Sequence, residues 1–146
     1  MSVKHQYILD QAFIASWSDL PPTLWREVQS AALNHRGGPD LLKDLESAMT
    51  SGALTRVYLA NDARGAVGLL LELTRDVPTI GLIFVQVPHR RRGVARSMIS
   101  AALGDHRGKW DGWSLPGDRA TKSLYESLGH KARLLTMSGE REPDGA

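Results

Sequence analysis

Apolar and polar residues alternate along this chain with two different periods, and each change of period marks an element. Residues 22–33 carry Leu24, Trp25, Val28, Ala31 and Ala32 on one side of a helix, and residues 41–49 do the same with Leu41, Leu42, Leu45, Ala48 and Met49. Ser18-Asp19-Leu20-Pro21-Pro22 reads as the start signal of the first helix, Asp40 as the cap of the second and Ser51-Gly52 as its stop. Three strand-like runs follow, at 55–60, 66–73 and 79–87. Short turns at 61–65 and 74–78 join them, which predicts an antiparallel meander. The third run contains Leu82-Ile83-Phe84-Val85-Gln86-Val87, reads as a mostly buried strand, and is closed by Pro88. Helical spacing returns at 94–103 with Val94, Met98, Ile99, Ala102 and Leu103, and Gly104 ends it. Residues 112–115 form a short strand stopped by Pro116-Gly117; the intervening helix makes it a parallel, right-handed neighbour of the third run. Residues 118–128 form a last helix, with Asp118 as N-cap, a stripe of Ala120, Leu124 and Leu128, and Gly129 as stop. Weaker patterns predict strands at 3–9 and 130–137, and 139–146 is a polar tail. The order is β-α-α-β-β-β-α-β-α-β: one α/β (α+β) domain over 1–138, with about four helices on a mixed, mostly antiparallel sheet.

Composition narrows the chemistry. The 146 residues suit one domain with a real core, and 42% hydrophobic with 23% charged residues is ordinary for a water-soluble fold. A net charge of +2 does not demand a nucleic acid partner. With no cysteine there is no disulfide, no thiolate nucleophile and no cysteine zinc site. No signal-like run follows Met1-Ser2-Val3-Lys4-His5 and no segment is long and apolar enough to span a bilayer, so the expected location is the cytoplasm.

The stretch 81–103 concentrates the chemistry. It is a strand, a basic loop and a helix, with Arg90-Arg91-Arg92-Gly93-Val94-Ala95 at the junction. Glycine lets a ligand approach the backbone closely, and the first helical turn offers unpaired N–H groups at the positive end of the dipole. That describes an anion site whose potential the arginines raise. The plainer alternative is a basic turn on a solvated surface.

The same residues resemble a family signature. Arg90-x-x-Gly93-x-Ala95 is similar to the Gln/Arg-x-x-Gly-x-Gly/Ala motif of the GCN5-related N-acetyltransferases (GNAT family), whose loop amides hold the pyrophosphate of acetyl-coenzyme A. Residues 118–130 resemble the family's later motif, Asn-x-x-Ala-x-x-Leu-Tyr-x-x-x-Gly-Phe, with Ala120 one place off in register. The element order resembles the family's over nearly the whole chain. The resemblance implies an acetyltransferase that uses acetyl-coenzyme A as co-substrate and a primary amine, on a small molecule or a protein, as acceptor. It implies a cofactor site of Val85, Gln86, Val87, Arg90, Arg91, Arg92, Gly93, Val94, Ala95, Arg96 and Asp118. In the family the strand parts from its parallel neighbour, and the pantetheine arm pairs with the freed backbone. Val85 and Val87 would supply those groups, with Phe84 and Gln86 beside the acetyl group.

Tyr125 matches the tyrosine that commonly protonates the departing thiolate; the alternative is packing beside Leu124 and Leu128. Three positions depart from the family. Asp118 replaces asparagine and serves either the coenzyme or only the helix cap. His130 replaces an aromatic residue, and residues 82–87 lack the glutamate many relatives use as base. Glu72 and His89 are the remaining candidate bases, against an outward charged position for one and a solvated loop position for the other. A neutral amine or a water relay would make a base unnecessary. Trp17, Trp25, His35, Arg36, Arg75 and Asp76 fall where this fold walls its acceptor. The competing reading is a catalytically degenerate protein that keeps the fold as a structural or interaction module. A nucleic-acid module using Lys4, Arg90, Arg91, Arg92, Arg96, Arg107 and Lys109 ranks last, because few aromatics interleave with those charges. Dimers are frequent in the resembled family.

Overall fold

The structure, a computed structural model, describes residues 6–131. Its sheet has five strands in the order β1-β2-β3-β4-β5: β1 (Ile8–Ala12), β2 (Leu54–Asp62), β3 (Gly65–Thr74), β4 (Pro78–Val85) and β5 (Asp111–Gly112). The first three pairings are antiparallel, and β4 pairs with β5 in parallel. This is the mixed α/β architecture that the periodicity predicts.

The helices are α1 (Pro22–Leu33), α2 (Gly38–Ser51), α3 (Val94–Leu103) and α4 (Arg119–Ser127). One face of the sheet packs on α1 and α2 through Leu24, Trp25, Val28 and Leu45 against Val57, Leu69, Leu71 and Leu73. The other face packs on α3 and α4 through Val94, Met98, Ile99, Ala102 and Tyr125 against Tyr58, Ala60, Leu70, Ile80 and Val85. Burial on both faces explains why Leu69, Leu70 and Leu71 are apolar without alternation: β3 is the central strand and all three are at most 1% exposed.

Several boundaries move. The first strand runs to Ala12 because its residues pair with β2 up to Val57, while residues 1–5 lie outside the described residues. Asp19 closes a capping box on a short 3₁₀ turn, Trp17–Asp19, and α1 starts after Pro21 with no side-chain cap. α2 begins at Gly38, not Leu41. Gly37 is its left-handed N-cap and Pro39 occupies the first turn, so Asp40 sits inside that turn, near the positive end of the dipole, instead of capping. β4 ends at Val85, and Val87 belongs to a 3₁₀ turn, Val87–His89, because Pro88 has no N–H to extend a ladder. β5 is Asp111–Gly112 and not 112–115. On α4 the buried face is Thr121, Leu124, Tyr125 and Leu128, while Ala120 is exposed. Thr121 therefore takes the place of the alanine in the later motif. Of the expected last strand, His130 and Lys131 are described and carry no strand pairing; the rest, with the tail 139–146, lies outside the described residues.

Candidate active site

β4 and β5 meet only at Thr79 with Asp111 and Ile80 with Gly112, and the Trp113 amide then donates to Ile80 O at 2.9 Å. β5 ends there, so beyond Ile80 β4 has no paired neighbour on that side among the described residues. The register of β4 against β3 slips at the same place: Leu71 faces Leu82 while Glu72 faces Ile80, which leaves Gly81 as a bulge. Farther along, the Gln86 amide donates to Val67 O at 2.9 Å. Amides alternate in direction along an antiparallel strand, so those of Ile83 and Val85 face away from β3, toward the side that β5 leaves unpaired. The carbonyl of Val85 is engaged there by Arg90 Nε at 2.8 Å. Val87 supplies no such edge: its carbonyl accepts the Arg90 amide at 3.2 Å within the 3₁₀ turn, and its side chain is exposed. Gln86 is half-buried at the end of the ladder.

At the C-terminal end of β4 the chain turns into α3 through Arg90, Arg91, Arg92 and Gly93. Gly93 is the N-cap, with φ 80°, and a side chain there would project into open space. Arg91 is also left-handed, with φ 64°, the only such non-glycine among the described residues. The first main-chain bond of α3 is Ser97 N to Gly93 O at 3.0 Å, so the amides of Val94, Ala95 and Arg96 lie in the unpaired first turn. Unpaired donors at the start of a helix suit an anion. Arg90 is drawn back over the Phe84 ring, 5.7 Å from its centroid. Arg92 Nη1 donates to the Tyr7 hydroxyl at 3.3 Å, and Arg96 Nη2 donates to Ser127 Oγ at 2.7 Å, tying α3 to α4.

Tyr125 closes the other end. Its ring lies against the backbone of Gly112, where the β4–β5 pairing ends. Trp110 meets it edge-on at 5.9 Å, and His130 packs on Trp110 at 3.8 Å while its Nε2 contacts Trp110 O at 2.9 Å. The Tyr125 ring is only 5% exposed, and its hydroxyl has no hydrogen-bond partner among the described residues. Burial, and then the negative charge of Asp118, push its pKa above the ordinary phenol range, so the hydroxyl stays protonated at neutral pH. Asp118 caps α4 with both oxygens on Thr121: Oδ1 accepts from the amide at 3.1 Å and Oδ2 from the hydroxyl at 2.7 Å.

The candidate bases stand apart from this line. Glu72 is buried, not outward, beneath the C-terminal end of α3 in a cleft of about 510 Å³ that Arg56 and His106 share. Burial raises its pKa, against the lowering effect of Arg56 and His106. It shares a sheet row with Ile80 and Gly112, two strand spacings from β5, about 10 Å. His89 is not a solvated loop residue either: Nδ1 lies 3.0 Å from the Tyr7 hydroxyl and Nε2 3.6 Å from Asp62. On the α1/α2 face, Trp17 stacks on Trp25 at 4.6 Å, and Arg75 lies 5.4 Å over Trp113. His35 reaches the loop after β5 near Gly117. Among the described residues no three His, Asp or Glu side chains cluster to hold a metal ion, and no helix is long and apolar enough to cross a membrane.

Sequence reasoning missed Gly112 and the pair Tyr7 and Asp62. A glycine inside a strand run was the available signal for the first, since it marks close approach by another group. Nothing local pointed to Tyr7 and Asp62, which meet His89 across 82 and 27 positions of sequence.

No protein-family model and no curated protein matches this sequence. Solved structures do match it along its length. AAC(6′)-Iy, an aminoglycoside N-acetyltransferase crystallised in complex with CoA, is 16% identical with a TM-score of 0.61, over 98% of this chain and 99% of that one. A GNAT-family acetyltransferase from Streptococcus pneumoniae TIGR4 is 16% identical with a TM-score of 0.64, over 94% and 100%. This chain has the GNAT fold. A ribosomal-protein-alanine N-acetyltransferase from Brucella melitensis biovar Abortus 2308 adds a third match, 18% identical with a TM-score of 0.63, over 94% and 100%.

Proposed function

We propose that this protein is an N-acetyltransferase that moves the acetyl group of acetyl-coenzyme A to a primary amine by direct attack on the thioester. The observation that carries this reading is the Tyr125 hydroxyl, buried and without a partner among the described residues, at the point where the β4–β5 pairing ends. A buried hydroxyl left unpaired costs about 1–3 kcal/mol, a cost a ligand atom at that point would remove.

The residues present fit the coenzyme. The unpaired amides of Val94, Ala95 and Arg96, with Arg91, Arg92 and Gly93, form the pyrophosphate site. From Val85 back to Ile80 is about 17 Å of strand, a path for an extended pantetheine arm beside the outward amides of Val85 and Ile83. AAC(6′)-Iy has also been crystallised with a bisubstrate analogue, CoA-S-monomethyl-acetylneamine.

The amine nitrogen adds to the thioester carbonyl, forming the C–N bond and a tetrahedral oxyanion that an outward amide of β4 stabilises. Collapse breaks the C–S bond. The sulfur leaves with the electron pair and takes the Tyr125 proton. The raised pKa of Tyr125 does not oppose this, because the desolvation that keeps the phenol protonated also makes the thiolate more basic. The surplus proton on the new amide nitrogen passes through water back to the phenolate. Neither Glu72, two strands from Gly112, nor His89, held by Tyr7 and Asp62, is placed for direct transfer, so the amine arrives neutral. Asp118 acts as the cap that orients α4.

The test is thiol release from acetyl-coenzyme A across a panel of amines. Turnover with at least one amine, lost in Tyr125→Phe, supports the reading. Release that is independent of both amine and Tyr125 contradicts it.

A further inference from the structure

His89 directly precedes the basic loop, and its ring is held from two sides. Nδ1 lies 3.0 Å from the hydroxyl of Tyr7, whose ring meets it edge-on at 5.7 Å. Nε2 lies 3.6 Å from Asp62 Oδ2. Asp62, the last residue of β2, is itself fixed by the β2–β3 turn, where its Oδ1 accepts the Arg64 amide at 2.8 Å. The Tyr7 oxygen also accepts from Arg92 Nη1 at 3.3 Å. Three parts of the chain that are distant in sequence therefore converge on the loop: the residue before β1, the end of β2 and the loop itself. With His89 Nδ1 unprotonated the donors run in one direction, Arg92 to Tyr7 and Tyr7 to His89, and the Asp62 carboxylate faces the other ring nitrogen.

The loop requires such support. Arg91 has φ 64°, a left-handed conformation that a side chain disfavours and that persists only where its surroundings impose it. Both of its neighbours are anchored, Arg90 by Val85 O and Arg92 by Tyr7. Releasing either end lets Arg91 relax and turns the amides of the loop away from a common anion.

We propose that Tyr7 and Asp62 are positioning residues for coenzyme A, acting through His89 and Arg92 to hold the loop in its phosphate-binding shape. The proposal rests on the acetyltransferase reading of that loop.

The test is calorimetric titration with coenzyme A of the intact protein and of Tyr7→Phe, Asp62→Asn and the double variant. Each single variant is expected to bind about 3- to 10-fold more weakly, the loss of roughly one hydrogen bond. The double variant is expected to bind less weakly than the product of the single effects, because both act through His89. Amide hydrogen exchange over 90–93, measured without ligand, is expected to speed up in the variants while thermal stability changes little. In turnover, KM for acetyl-coenzyme A should rise with kcat unchanged, and KM for S-acetylpantetheine, which lacks the pyrophosphate, should not move. Equal coenzyme A affinity in all four proteins, or unchanged exchange over 90–93, would overturn the proposal and leave the acetyltransferase reading standing. Absence of binding by the unaltered protein would overturn that reading and the proposal with it.

Discussion

Tyr125 rests on Gly112 so closely that a Cβ built on the glycine would come within 2.5 Å of the tyrosine Cζ and 2.6 Å of Cε1. The last helix and the last described strand are thus fitted through one ring and one missing side chain. The contact also sets where the hydroxyl lies relative to the end of the β4–β5 pairing.

Gly112→Ala should therefore move the ring. The expected cost is about 1–3 kcal/mol of stability, typical of overpacking, with at least about a tenfold fall in kcat. Coenzyme A affinity should change much less, because the loop proposed to hold its phosphates lies at the other end of β4. Thermal unfolding and steady-state kinetics on one preparation check all three.

Tyr125→Phe is expected to divide stability from activity. Removing a buried hydroxyl that lacks a partner among the described residues should raise Tm by about 2–4 °C in the ligand-free protein. The same change should lower kcat about 10²-fold or more, because the thiolate would lose the proton donor proposed for it. A lower Tm would mean that the hydroxyl is satisfied in the native protein.

Glu72 should give stability a pH dependence of definite sign. Its folded pKa is raised, mainly by burial. The folded state therefore holds this proton more tightly than the unfolded chain does. Stability from this group is complete below the ordinary carboxylate range and is lost as pH rises through the raised value. Glu72→Gln should flatten that slope, measured as the urea midpoint between pH 4 and 8. An equally steep fall in the variant would assign the slope to other groups.

Asp118→Ala should cost about 1 kcal/mol, the value of a lost N-cap, whereas Asp118→Asn keeps an acceptor for the Thr121 amide and should cost much less. Urea unfolding of the three proteins gives the readout.

Local pattern carried most of the architecture. α1 and α3 begin and end where periodicity and end signals place them, at Pro22–Leu33 and Val94–Leu103. Both are amphipathic, with their buried faces set by spacing alone. The Arg90–Gly93 loop was legible because a left-handed glycine before a helix is a local requirement. Tertiary contacts decided the rest. Ala120 and Thr121 compete for one helix face, and Gly112, on a separate element, settles it by making room for Tyr125. Glu72 reads as an outward charge beside Leu71 and Leu73, yet α3 covers it. Val87 reads as strand by residue type, and the missing N–H of Pro88 ends the ladder before it.

The central claim is that the loop from Arg90 to Ala95 holds the phosphates of acetyl-coenzyme A, and calorimetric titration with that molecule tests it most directly. Gly93 has a left-handed backbone and open space where a side chain would stand, so Gly93→Asp would project a carboxylate into the anion site. The account predicts micromolar binding by the unaltered protein and none measurable by Gly93→Asp. Equal binding by the two proteins, or none by either, would contradict it.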